Sequence, residues 1–151
     1  MGTGTELILR WVAAVLSLAG LANALYFTLA YYGRVRKARW VPERFCARRD
    51  SSCVTVLQTP YASLLGVPNS LLGIAYYLLV VDWARTGRTL AWEWLDLTLT
   101  AVSVMTVAFG FYLIHALRWK LRTHCPLCYA AHAVNLALLV LIILLSRGAS
   151  Q

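Results

Sequence analysis

Four long stretches of mainly apolar residues alternate with more polar stretches along the chain. The apolar stretches cover residues 7–32, 67–81, 95–117 and 127–145. A helix rises about 1.5 Å per residue and the hydrocarbon core of a bilayer is about 30 Å thick, so about 20 residues are enough to cross it. All but the second stretch reach this length as they stand, and the second reaches it if it begins near Ser63 and ends near Trp83. The pattern predicts an all-α membrane protein, a four-transmembrane-helix bundle with both termini on one side of the membrane.

The composition of the chain agrees with a lipid environment. Of its 151 residues, 60% are hydrophobic and only 13% are charged, which is far outside the range of soluble proteins. The tryptophans lie at or near the ends of the proposed spans, where their amphipathic rings favour the lipid headgroups; they are Trp11, Trp40, Trp83, Trp92, Trp94 and Trp119. The basic residues that give the chain its net charge of +8 are therefore expected to face water and lipid headgroups. No nucleic-acid partner is expected.

The connection between the first two spans is much longer than the other two, and it contains Cys46 and Cys53. Its last part, residues 60–65, is compatible with a half-helix on the membrane surface and equally with an irregular loop. The following sequence, Val-Pro-Asn-Ser-Leu-Leu-Gly, has the features of a helix start, with Pro68 or Asn69 in the first turn. Because the loop carries two of the four cysteines, function is expected to involve it.

The other two cysteines stand where the last span begins, in the sequence Cys125-Pro-Leu-Cys128. Two predicted spans separate them from the loop cysteines, so all four are expected on the same side of the membrane. Four cysteines permit three pairings, and the sequence does not choose among them. A thiolate at a helix N-terminus is stabilised by unpaired backbone N–H groups and the helix dipole, and Pro126 suits the first helical position. The arrangement favours thiol–disulfide exchange at the boundary of the membrane.

A polar stripe continues from these thiols into the last span. At about 100° per residue, Cys125, Cys128, His132 and Asn135 fall within an arc about 80° wide. Polar side chains are costly in lipid, so the stripe is expected to face the interior of the bundle. Asn69, at the start of the second span on the same side, provides a further polar group at similar depth. Together these positions predict a site for a hydrophobic molecule with polar oxygens.

Each of these features also has a structural interpretation. The Cys125/Cys128 pair could be a structural disulfide or half of a zinc site, although the spacing of the loop cysteines exceeds the two to four intervening residues usual for closed zinc sites. His132 and Asn135 could serve helix packing, and Asn69 could cap its helix. The alternative functions are therefore a Cys/His metal-binding membrane protein and a purely structural bundle. Two polar residues of the first span, Asn23 and Tyr26, are expected to form interhelical hydrogen bonds.

The order of these elements resembles the vitamin K epoxide reductase (VKOR) family in its prokaryotic form. The resemblance rests on the loop pair Cys46 and Cys53, the segment Val-Pro-Asn-Ser-Leu-Leu-Gly, and Cys125-Pro-Leu-Cys128 at the start of the last span. It covers nearly the whole chain, from residue 7 to residue 146. It implies one VKOR-like four-helix membrane domain over residues 1–151, without a fused thioredoxin-like domain.

The resemblance implies a quinone-dependent thiol–disulfide oxidoreductase that generates protein disulfides. A separate, reduced thioredoxin-like protein would form a mixed disulfide with Cys46, and Cys53 would then exchange with Cys125. The electrons would reach Cys125 and Cys128, with Cys128 as the thiolate that reduces a membrane quinone. The expected co-substrate is a quinone of the ubiquinone or menaquinone class, and no metal cofactor is expected.

The resemblance also implies two residues that bind the quinone. Asn69 matches the family position that hydrogen-bonds a quinone carbonyl. His132 stands where the vertebrate enzymes have a tyrosine, four residues after the second cysteine of the motif, and an imidazole there could donate to a quinone oxygen. This departure favours quinone reduction over epoxide reduction.

Two arguments about membrane orientation conflict. Ten of the fourteen lysines and arginines lie on the predicted cysteine side, namely Arg34, Arg36, Lys37, Arg39, Arg44, Arg48, Arg49, Arg118, Lys120 and Arg122. The positive-inside rule therefore predicts a cytoplasm-facing active site. Disulfides are normally formed outside the cytoplasm, which favours an extracytoplasmic site as the alternative, but intracellular proteins of hyperthermophiles are disulfide-rich. On the basis of the charge distribution, the chain is expected to be a multi-pass cell-membrane protein with its cysteines toward the cytoplasm.

Overall fold

The structure, a computed structural model, describes residues 3–34, 59–64, 66–86, 93–122 and 125–148. Its elements in chain order are helix α1 (Thr3–Tyr31), a 3₁₀ turn (Pro60–Ala62), strands β1 (Ser63–Leu64) and β2 (Val67–Pro68), helix α2 (Asn69–Thr86), helix α3 (Glu93–His115), a π-helical turn (Ala116–Lys120) and helix α4 (Pro126–Gly148). The predicted all-α membrane protein is confirmed, because the only described strands are the two residues on each side of one tight turn.

Within the described residues, three helical segments are long and apolar enough to cross a membrane, namely Gly4–Tyr31, Asp96–Lys120 and Pro126–Arg147. They correspond to the first, third and fourth predicted spans. Helix α2, in the place of the second, has 18 residues, which corresponds to a length of about 27 Å. It begins at Asn69, so the expectation that this span extends back to Ser63 is wrong.

The four helices form a bundle in which α1 packs mainly against α2, α3 packs against α4, and α4 also contacts α1. Val80, Leu138 and Ile142 are almost completely buried in its core. Large apolar side chains on the outer faces remain exposed, such as Met105 at 70%. In a bilayer this exposure is not penalised, because lipid tails are as apolar as the side chains that contact them.

The segment before α2 is neither a half-helix nor irregular. After the 3₁₀ turn, β1 and β2 pair in antiparallel register, with Ser63 opposite Pro68 and Leu64 opposite Val67. Gly66 lies in the connecting turn at φ +84°, a conformation that glycine adopts without steric cost. The hairpin ends directly at Asn69, so it fixes the point at which α2 begins.

Candidate functional site

Cys125 and Cys128 form a disulfide at the N-terminus of α4, with their Cα atoms 5.2 Å apart. Pro126 occupies the first helical position, as predicted. Cys125 precedes the helix, and its sulfur accepts a hydrogen bond from the Cys128 backbone N–H at 3.3 Å. Cys46 and Cys53 lie outside the described residues.

The disulfide is embedded where the C-terminal ends of α1 and α3 meet the start of α4. Cys125 is completely buried against Phe27 and Leu117, whereas Cys128 is only partly buried. The side chains that surround this cluster are Tyr26, Leu121, Leu127 and Tyr129. Cys128 is therefore the more exposed member of the pair.

Asn23 connects α1 to the turn that holds the disulfide. Its side-chain Nδ2 donates to the backbone oxygen of Leu127, between the two cysteines, at 3.1 Å. The predicted interhelical role of Asn23 is thus confirmed. Its Oδ1 is buried and has no hydrogen-bond partner among the described residues.

The polar stripe on α4 faces the bundle, as predicted. Asn135 is buried, and its Oδ1 accepts a hydrogen bond from the Tyr77 hydroxyl of α2 at 2.7 Å. His132, nearer the disulfide, lies against α3 at Gly110, where a Cβ would approach its Nδ1 to 2.7 Å. That nitrogen is buried and has no partner in the described part of the chain. The helix-packing interpretation therefore holds for Asn135, while His132 keeps an unused polar atom.

Asn69 connects the hairpin segment to α2. Its Nδ2 donates to the backbone oxygen of Tyr61 at 2.7 Å, and its buried Oδ1 has no partner in the described residues. The Tyr61 ring in turn lies 6.3 Å from the Tyr112 ring of α3, and Lys120 Nζ lies 5.7 Å from the Tyr61 ring centroid. Asn69 and α3 are thus linked through Tyr61.

Three residues at this end of the bundle could not be recognised from the sequence, namely Gly110, Tyr61 and Lys120. Gly110 is one of nine glycines, and nothing around it marks a close helix contact. Tyr61 and Lys120 come together only because the hairpin segment folds over the end of α3. The π-helical turn that carries Lys120 widens the last turn of that helix, and such turns occur frequently at functional sites.

The chemistry available at this end of the bundle is a disulfide beside polar groups that the described residues do not satisfy. The buried atoms that lack a described partner here are Asn23 Oδ1, Asn69 Oδ1 and His132 Nδ1. Buried polar groups normally have hydrogen-bond partners, so unpaired ones need an explanation such as a bound molecule. The two amide oxygens can accept from a ligand hydroxyl, and His132 Nδ1 can donate to a ligand carbonyl or accept from a hydroxyl. In the described segments, no group of three or more His, Cys, Asp or Glu side chains is arranged to hold a metal ion.

The fold and the site define a helical membrane protein with a disulfide seated at the start of a transmembrane helix. The sequence model of the vitamin K epoxide reductase family matches residues 11–143 of this chain. The match covers most of the 151 residues, and the chain belongs to this family. Membership makes it a membrane thiol–disulfide oxidoreductase linked to quinones.

Proposed function

We propose that this protein oxidises the dithiol of a thioredoxin-like partner and transfers the electrons to a membrane quinone, thereby generating protein disulfides. The observation that carries the proposal is the Cys125–Cys128 disulfide, which lies inside the bundle at the end where the hydrocarbon-spanning part of α4 begins. In that position an oxidised cysteine pair is close both to water-borne thiols and to a lipid-soluble acceptor.

The electrons would travel by thiol–disulfide exchange. A thiolate of the partner attacks Cys46 of a Cys46–Cys53 disulfide and releases Cys53, and the second partner thiol then displaces Cys46 to complete the partner's disulfide. Cys53 attacks the sulfur of Cys125, which releases Cys128, and Cys46 then resolves this mixed disulfide. The loop disulfide reforms and two thiols remain on α4. Each exchange conserves the number of disulfides, and each completed transfer, which takes two exchanges, moves two electrons and two protons.

The last step would reduce the quinone. The thiolate of Cys128 donates the electron pair, the Cys125–Cys128 disulfide reforms, and the quinone takes up two protons to become a quinol. The exposure of Cys128 relative to the buried Cys125 supports this assignment. Asn69 and His132 would bind the ring oxygens: an N–H of either side chain can donate to a quinone carbonyl, and the buried Asn69 Oδ1, which has no partner among the described residues, can accept from a quinol hydroxyl.

The enzymatic test is to follow quinone absorbance without oxygen, with a reduced thioredoxin-like substrate and analogues of ubiquinone and menaquinone. We expect Cys46→Ala and Cys53→Ala to lose partner oxidation by about 100-fold or more while a small dithiol still drives quinone reduction. Cys125→Ala and Cys128→Ala should lose quinone reduction with either donor. Quinone reduction by Cys128→Ala at the wild-type rate would refute the proposal, and stoichiometric zinc on Cys125 and Cys128 would favour the metal-binding alternative.

The charge distribution supports a cytoplasm-facing site. Arg34, Arg118, Lys120 and Arg122 are the described basic residues at the cysteine end, and the positive-inside rule places such an end in the cytoplasm. In the Cys53→Ala variant, where Cys46 has lost its loop partner, a membrane-impermeant maleimide should label Cys46 only after intact cells are permeabilised. Rapid labelling of intact cells would show the opposite orientation.

A further inference from the structure

Helices α3 and α4 approach closely where Gly110 meets His132. A Cβ on residue 110 would lie 2.7 Å from Nδ1, 3.3 Å from Cγ and 3.4 Å from Cε1 of the imidazole. The first of these distances is shorter than real Cβ atoms adopt, so no residue with a side chain fits here unless the ring moves. The imidazole occupies the space that a side chain on residue 110 would fill.

The glycines of α1 and α2 that face neighbouring helices have different surroundings. At Gly73, an added Cβ would make ordinary contacts, 3.6 Å from Ala24 Cβ and 3.8 Å from the Tyr77 ring. At Gly20 an added Cβ would overlap the Tyr77 ring, but Tyr77 is already hydrogen-bonded to Asn135. Glycine inside a helix lowers the stability of the protein by about 1 kcal/mol relative to alanine. At residue 110 this loss is offset because glycine leaves room for the His132 ring.

The position of His132 is set by packing at Gly110, because its Nδ1 has no hydrogen bond to the described residues that would fix it. Asn135, one turn farther along α4, is held in the opposite way, by the hydrogen bond from Tyr77. A side chain positioned only by packing moves when the space beside it is filled. His132 should therefore respond to a single methyl group on α3.

We propose that Gly110 is a positioning residue that holds the His132 imidazole at the distance required to hydrogen-bond a quinone oxygen. The inference rests on the proposed function, in which His132 binds the quinone. A hydrogen bond needs its two heavy atoms within about 3.2 Å of each other, and a displacement of about 1 Å at a reacting group can cost up to about 100-fold in rate. A methyl group at residue 110 forces a shift of this order on the ring.

The experiment compares Gly110→Ala, His132→Ala and the double variant, with Gly73→Ala as the control for adding a methyl group to a packed helix. Dithiothreitol serves as the electron donor, so the partner protein is not needed, and a short-chain ubiquinone analogue is the acceptor. We expect Gly110→Ala to raise the KM for the quinone about tenfold. The double variant should match His132→Ala alone, because the methyl group no longer meets a ring, and Gly73→Ala should match the wild type.

Two results would overturn the inference while the proposed function stands. One is an unchanged KM in Gly110→Ala. The other is that Gly110→Ala raises the KM by the same factor in the wild-type protein and in His132→Ala. The melting temperature of the same four proteins reports on the contact itself. If Gly110→Ala does not fold but the double variant does, the contact between Gly110 and His132 is supported. If neither variant folds, the contact is contradicted. If the wild type reduces no quinone, the proposed function fails, and the inference about the quinone fails with it.

Discussion

Two interhelical hydrogen bonds join buried polar side chains in the middle of the bundle, whereas three side chains at its cysteine end keep buried atoms without a partner among the described residues. In the middle, the Tyr77 hydroxyl donates to Asn135 and the Tyr76 hydroxyl lies 3.1 Å from Ser103 Oγ. These pairs connect α2 to α4 and α3, and each satisfies a group that could not be hydrated inside a membrane. They account for Asn135, Ser103 and the two tyrosines by packing alone.

At the cysteine end, the amide oxygens of Asn23 and Asn69 and the Nδ1 of His132 have no partner among the described residues. Away from this end, on α1, Ser17 Oγ and one nitrogen of Arg10 also have no partner among the described residues. Single unpaired atoms are therefore not confined to the cysteine end. What distinguishes it is that three such side chains accompany a disulfide. The proposed quinone site at the cysteine end predicts this difference, while the pairs of the middle layer hold the helices together.

The first way to test this contrast is to disturb the middle layer with Gly20→Ala. The added methyl group would overlap the Tyr77 ring, and overpacking of this kind lowers the free energy of unfolding by about 2 to 3 kcal/mol. An SDS titration of the purified protein measures the change, with Gly73→Ala as the tolerated control. A stability equal to that of Gly73→Ala would contradict the packing described here.

The second test changes the cysteine end with Asn69→Ala. We expect the KM for the quinone to rise about tenfold, equivalent to about 1.4 kcal/mol of lost binding, because the amide N–H that would donate to a quinone oxygen is removed. The matched control is Ser70→Ala at the neighbouring position, whose hydroxyl contacts Thr28 Oγ1 at 2.9 Å instead. If both variants bind the quinone as the wild type does, the unpaired amide oxygen of Asn69 does not mark the binding site.

The third test removes one hydroxyl from the middle layer with Tyr77→Phe. Asn135 Oδ1 then loses its partner, and we expect a loss of about 1 kcal/mol in the free energy of unfolding, in line with interhelical hydrogen bonds in membranes. The KM for the quinone should stay within about twofold of the wild type, because the pair serves packing. Tyr32→Phe, at a position that is 60% exposed, controls for loss of a hydroxyl. A large increase in KM for Tyr77→Phe alone would extend the binding region into the middle layer.

The sequence predicted the parts of the site that depend on local chemistry. Pro126 indicated the first position of α4, and the spacing of Cys125, Cys128, His132 and Asn135 indicated a stripe on one face of it. It also indicated a polar link at Asn23. These predictions succeed because the helical period and the helix-start preferences act within a few neighbouring residues.

Other parts of the site escaped sequence-based prediction. The hairpin from Ser63 to Pro68 was not predicted, because its strands are only two residues long and carry no alternating pattern. The contact between Lys120 and Tyr61 joins residues from distant parts of the chain. The close approach of Gly110 to His132 was also not predicted, since it depends on how α3 crosses α4.

The amino-acid sequence by itself determined that this chain is a helical membrane protein with a cysteine pair at the start of its last helix, because apolar length and periodicity are local properties. Tertiary structure alone decided that Asn135 has a partner and that Asn69 and His132 each keep an atom unpaired by the described part of the chain. It also decided that Cys125 is completely buried while Cys128 is only partly buried. These outcomes depend on the rotation and crossing of four helices, and many rotations are compatible with the same apolar sequence when the surrounding lipid is as apolar as the core.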